Sequence, residues 1–158
     1  MPTPYHSSHE QRLDALQEGL HRVRMVTREI IDDVITGACL RLQAQHPDVK
    51  ASVLHLIDSR AFTDAILALL ELELPQWSLR RLIHEEGEWH CTLSKQLGVP
   101  AELDDTAEGF HEALPLAMLS AFVEARRSRF VAATERRASH APQLRPARDY
   151  VVCCDNFR

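Results

Sequence analysis

The stretch Trp77-Ser78-Leu79-Arg80-Arg81-Leu82-Ile83-His84-Glu85-Glu86-Gly87-Glu88-Trp89-His90-Cys91-Thr92-Leu93-Ser94-Lys95-Gln96-Leu97-Gly98 decides how the chain is read. Taken at 100° per residue, Leu79, Leu82, Ile83, Trp89, Leu93 and Leu97 form an apolar stripe, which predicts a helix from Trp77-Ser78 to Leu97. Gly98 followed by Val99-Pro100 supplies its stop: glycine accepts the left-handed cap and proline forbids continuation. On that helix Glu86 falls within the apolar stripe and His90 lies beside it, while His84, Glu88 and Cys91 face the other way. A buried Glu–His pair needs partners, because an unpaired buried polar group costs a few kcal/mol.

Working outward, prolines at 47, 75, 100 and 115 mark the joints, since proline inside a helix removes a hydrogen bond and clashes with the preceding turn. Between Ser8 and Gln45 the residues Leu13, Leu16, Leu20, Val23, Thr27, Ile30 and Val34 recur at spacings of three and four, a heptad seam with Thr27 as its polar break. One helix of that length would run roughly 50–60 Å at 1.5 Å per residue, longer than a globule of this size is wide. It therefore either kinks near Gly37 or packs on a partner, and a homodimer through this helix is the expectation; a long core helix of a monomeric bundle is the other reading. A second helix is expected from His46-Pro47-Asp48 to Leu74, apolar nearly all round and so central. Asp58-Ser59 offers an alternative start within it. The acidic interval Ala101 to Leu114 reads as a loop and a short helix capped by Asp104 or Asp105. The last helix runs from Pro115 to about Ala138 with a stripe of Leu116, Leu119, Phe122, Val123, Phe130 and Val131. Its arginines (Arg126, Arg127, Arg129, Arg136 and Arg137) read as pairing with the acidic segment or as a solvated face, with a phosphate contact as the alternative.

The fold class so predicted is all-α: a single bundle of four main helices plus a short fifth over residues 1–141, with an extended or partly disordered tail at 142–158. The 158 residues, 45% hydrophobic and 26% charged, suit one domain with a sizeable core. A net charge of −5 speaks against broad nucleic-acid binding. No apolar run reaches the length that spans a bilayer, and Met1 to His6 lacks the features of a signal peptide. Cys39, Cys91, Cys153 and Cys154 form no C-x-x-C pair, and the expectation is a cytoplasmic protein with reduced thiols.

Three chemistries are open for Glu86 and His90. They form a structural pair inside the bundle, perform acid–base work or bind a small polar ligand, or join a metal site. For the last, Glu108-x-x-His111 has the spacing used in carboxylate-bridged metal sites, so Glu86, His90, Glu108 and His111 could offer two carboxylates and two imidazoles to a divalent transition metal. A full di-iron site wants two such motifs plus two more glutamates, more than these four residues supply. His84 and His90 are six apart, which excludes the zinc-protease H-E-x-x-H. Leu93 to Pro100 has the look of the first helix and turn of a helix-turn-helix, but an acidic following segment would repel phosphate.

Three short strings, Glu88-Trp89-His90-Cys91, Leu93-Ser94-Lys95-Gln96 and Leu114-Pro115-Leu116-Ala117-Met118-Leu119, resemble a family of small, uncharacterised α-helical bacterial proteins. The resemblance covers about Trp77 to Ala125 and implies a shared helical unit, with no activity and no site residue. The functional expectation is a non-enzymatic interaction or regulatory protein without a cofactor. The alternative is a metal- or ligand-binding bundle, admitting catalysis, that uses the Glu86/His90 and Glu108/His111 pairs.

Overall fold

The deciding stretch is not a helix. In a computed structural model, which describes residues 4–139 and the side chains of 8–128, it forms two antiparallel strands, β1 (Ser78–Glu85) and β2 (Glu88–Ser94). Glu86 and Gly87 alone separate them, both with positive φ (54° and 90°), the mark of a type I′ hairpin turn. Trp89, Cys91 and Leu93 alternate with Glu88, His90, Thr92 and Ser94, a period of two rather than 3.6. A third strand, β3 (Thr106–His111), pairs antiparallel with β2, giving the order β1-β2-β3. The acidic interval expected to hold a short helix thus contributes this strand, preceded by a single 3-10 turn at Ala101–Leu103. The all-α bundle is overturned: the described residues form six α-helices and a three-stranded sheet. The helix-turn-helix look of Leu93–Pro100 and the helical unit implied by the family resemblance fall with it.

The long first helix is also overturned. The chain gives α1 (Pro4–Arg22), α2 (Arg28–Ala38) and a short α3 (Leu40–Gln43). Val23, Val26 and Thr27 are β-branched and disfavour helix between the first two, and extended Thr27 stands as the N-cap residue of α2. Helix α2 then folds back on α1, so that Gly37 is the contact point and not a kink; a Cβ there would sit 2.8 Å from Leu16 Cδ1. The heptad seam is consumed within the chain: Leu13, Leu20 and Val34 are buried, and α1 packs on α2 and on the C-terminal helix. The length that pointed to a partner across this helix is therefore not present.

The expected second helix is divided into α4 (Pro47–Asp58) and α5 (Phe62–Glu73). Arg60 is left-handed (φ 59°), Ala61 N–H donates to Leu56 O at 2.9 Å and Arg60 N–H to Ile57 O at 3.0 Å. That pair of bonds is a Schellman ending with arginine where glycine is usual, and it falls where Asp58-Ser59 offered a break.

Helix α6 (Leu114–Ser139) agrees with its expected bounds, with Pro115 in its first turn. Residues 116–123 are all buried, so this first part of α6 is enclosed on every side and central. The sheet lies on one side of it, and α1, α5 and to a smaller extent α2 pack on it as well. It meets the sheet at Gly109, where a Cβ would stand 2.2 Å from Ala117 O and 2.4 Å from Ala121 N. Both are backbone atoms that cannot turn aside. The tail at 142–158, with Cys153 and Cys154, lies outside the described residues, as do the side chains of Arg129, Phe130, Val131, Arg136 and Arg137. Among the described residues no helix is long and apolar enough to cross a membrane.

Substituting Gly109→Ala should lower unfolding free energy by about 3 kcal/mol or more, because overpacking against backbone cannot be relieved by a rotamer change. Urea denaturation measures it, and a loss within a few tenths of a kcal/mol would contradict the close approach.

Candidate functional site

The register divides the sheet into two faces. Leu82, Cys91, Leu93, Ala107 and Gly109 belong to the face on α6. The other face carries Arg81, Ile83 and Glu85 from β1, Glu88, His90 and Thr92 from β2, and Glu108 and Phe110 from β3. Ile83, His90 and Phe110 lie in one cross-strand row. The His90 ring meets Phe110 edge-on at 4.8 Å between centroids, and Phe110 remains 43% exposed. No described helix packs substantially on this face. It leaves an apolar and aromatic row open, with glutamates around it.

The four residues considered for a metal are dispersed by the sheet. Glu86 occupies the exposed hairpin turn, so it and His90 share no buried helix face. His90 and exposed Glu108 are on the open face, where Glu108 stands opposite Thr92. His111 is on the other face, opposite Trp89. Its ring is fully engaged: Nδ1 accepts from Ala113 N–H at 3.0 Å, which leaves the proton on Nε2 to donate to Val23 O at 2.8 Å. His111 thereby ties the chain leaving α1 to the start of α6. Among the described residues no three His, Cys, Asp or Glu side chains are grouped to hold a metal ion.

Two polar clusters escaped the sequence reading. In the first, Glu73 of α5 is wholly buried; its Oε1 accepts Leu42 N–H at 2.6 Å and its Oε2 lies 3.6 Å from Arg126 Nη1 of α6, itself 4% exposed. The signal was present: Glu73 continues the stripe Ile66, Leu69, Leu70, and Arg126 continues Leu119, Phe122, Val123, so each charge falls on an apolar face. Cys39 lies close enough for its thiol to be raised, first by burial and then by the Glu73 charge. His9 is held below the usual imidazole range by burial and by the Arg126 and Arg12 charges. Arg127 pairs with Asp14 and Glu124, both at 2.9 Å. The described arginines of α6 thus meet carboxylates of the helices rather than the acidic segment.

In the second cluster, Asp104 closes the loop between β2 and β3. Its carboxylate accepts from the Ser94 hydroxyl and from Gln96 N–H (3.1 and 3.2 Å), with Arg80 Nη1 at 3.4 Å. These partners, the Ser94 hydroxyl foremost, hold the Asp104 carboxyl below the usual aspartate range. Asp104 thus caps a loop and not the helix expected there. Beside it Lys95 Nζ pairs with Asp105 at 2.7 Å and stands 5.0 Å over the Trp77 ring.

Nucleophile chemistry is remote from these thiols. Burial pushes Cys91 up to about 12 and raises Cys39 as well, so neither is a thiolate at neutral pH. No protein-family model, no curated protein and no solved structure matches the chain.

Glu73→Ala should cost about 3–5 kcal/mol, because it removes a carboxylate from beside the buried Arg126 guanidinium and the acceptor of the buried Leu42 N–H. Chemical denaturation of the variant tests this, and a cost under about 1 kcal/mol would show that the pair is not buried together. For Asp104 the native state favours the ionised carboxylate. Its contribution is therefore complete above about pH 4, the unfolded value, and is lost as pH falls through the lower native value. Melting temperature should accordingly fall more steeply with acidification in the parent than in Asp104→Asn, and equal slopes below about pH 4 would contradict the capping role.

Proposed function

We propose that this protein acts by binding a protein partner rather than by catalysis, and that the open face of the sheet is its recognition surface. The observation that carries this reading is the row Ile83, His90, Phe110, left partly exposed while the opposite face is sealed by α6. Aromatic groups flanked by charge are the composition of binding surfaces rather than of ordinary solvent-facing sheet. On the sheet the charges around the row are Glu85, Glu86, Glu88 and Glu108 against Arg81, and Arg22, Arg24 and Glu112 line the hollow beside Phe110 and Glu88, so carboxylates remain in excess. The partner chemistry they favour is a segment bearing Lys or Arg beside aliphatic or aromatic residues. Several groups that could serve catalysis are committed elsewhere: His111 through both ring nitrogens, Glu73 to Leu42 and Arg126, Cys39 and Cys91 as buried thiols. Free thiols also suit a cytoplasmic setting.

A displayed-peptide selection on the immobilised protein, run in parallel on Phe110→Glu, tests the reading. Basic-apolar peptides should be enriched on the parent and bind the variant at least about tenfold more weakly, with circular dichroism showing both folded. No enrichment over the variant would sink it.

A further inference from the structure

Strand β1 is the edge of the sheet, and among the described elements only β2 packs substantially against it. Its outer side presents backbone groups with no strand beside them among the described residues, the template on which another strand adds. In a two-residue hairpin the residues flanking the turn, Glu85 and Glu88, exchange hydrogen bonds with each other. Counting back by twos, Ile83 and Arg81 also turn their backbone groups toward β2, whereas His84 and Leu82 turn theirs to the free edge. The irregularity between Leu79 and Arg81 interrupts the edge at Arg80, so the stretch able to pair is Arg81-Leu82-Ile83-His84-Glu85.

We propose that this edge pairs with β1 of a second copy, antiparallel, about a two-fold axis at Ile83. The register is selected by charge and parity together. Centred on Ile83, Leu82 stands opposite the partner's His84 and exchanges backbone hydrogen bonds with it, and His84 does the same with the partner's Leu82. Arg81 meets the partner's Glu85, and Glu85 the partner's Arg81, on the open face where both side chains lie. Ile83 meets the partner's Ile83 in the closer, non-hydrogen-bonded kind of pair. Every neighbouring register is worse. Centring on Arg81 or on Glu85 sets like charges against each other. Centring on Leu82 puts Arg81 opposite the partner's Ile83, and on His84 it puts Ile83 opposite the partner's Glu85. Axes between residues would oppose an outward-bonding residue to an inward-bonding one. The irregularity at Arg80 and the charge of Arg81 are devices that discourage edge pairing in general, and the selected register is the one that satisfies that charge.

The dimer so formed is isologous, and it joins the row Ile83, His90, Phe110 of one copy to that of the other across the axis. The two sheets become one, with β3 as the strand at each end. Paired length is short, which places the contact in the weak, concentration-dependent class. This inference concerns the edge of the sheet and stands apart from partner recognition by its face, so each can fail alone.

Light scattering on the full chain, without any partner, from micromolar to sub-millimolar concentration should show a monomer–dimer equilibrium. Arg81→Glu and Glu85→Arg should each weaken it by about tenfold or more, and the double variant R81E/E85R should restore it. In the unaltered protein the amides of Leu82 and His84 should exchange more slowly as concentration rises. A monomer throughout, a dimer indifferent to the single changes, or no recovery in the double variant would overturn the proposal. The exchange measurement decides on its own should a variant fail to fold: concentration-independent exchange at Leu82 and His84 overturns it.

Discussion

Helix α6 and strand β3 approach until residue 109 has no room for a side chain, and the rest of the molecule is arranged around that contact. With its backbone against the sheet on one side, α6 must be covered by helices on the others, which is why residues 116–123 are buried without a polar face. The same placement sets Ser120 where Gln17 of α1 donates to it at 2.6 Å, and Arg126 where Glu73 of α5 can reach it. Helix–sheet packing thus fixes helix–helix packing. The small inward residues Ala107 and Gly109 permit both.

Prolines proved sound as joints and silent about what lies between them. Pro47 opens α4, Pro115 lies in the first turn of α6, and Pro75 and Pro100 stand outside the regular elements. The intervals 75–100 and 100–115 nevertheless hold strands. Proline reports where a helix cannot continue and says nothing of whether one was there. The stripe Leu79, Leu82, Ile83, Trp89, Leu93, Leu97 satisfies helical spacing because five- to eight-residue strands on either side of a two-residue turn can imitate it. What separates the two readings is Glu86-Gly87: glycine in mid-helix costs about 1 kcal/mol, whereas in a type I′ turn it is the favoured residue. The division of α1 from α2 was less legible. It depends partly on His111 capturing the Val23 carbonyl from 88 residues away, a tertiary contact that no local propensity contains.

Of the candidate site, the residue types were legible and their grouping was not. His90 is expected beside the apolar stripe of a helix; it stands instead on a strand, between Ile83 and Phe110 of the neighbouring strands. Glu86 was singled out for the same reason, yet it belongs to a turn. A Glu and a His four apart are neighbours on a helix; across a hairpin turn they part. Conversely, the reasoning that an ionisable group on an apolar face must have a buried partner was sound. It applies to Glu73 and Arg126, a pair other than the one it was first applied to.

The contact between Gln17 and Ser120 spans 103 residues, and that separation has a consequence in time. During synthesis α1 emerges about a hundred residues ahead of the helix that covers it. At translation rates of about 5–20 residues per second the seam of Leu13, Leu16 and Leu20 is without its α6 surface for roughly 5–20 s. Helix α2, folding back through Gly37, is there to shield it meanwhile. The early helical hairpin is, in that light, a shelter for the nascent chain as well as a layer of the finished fold.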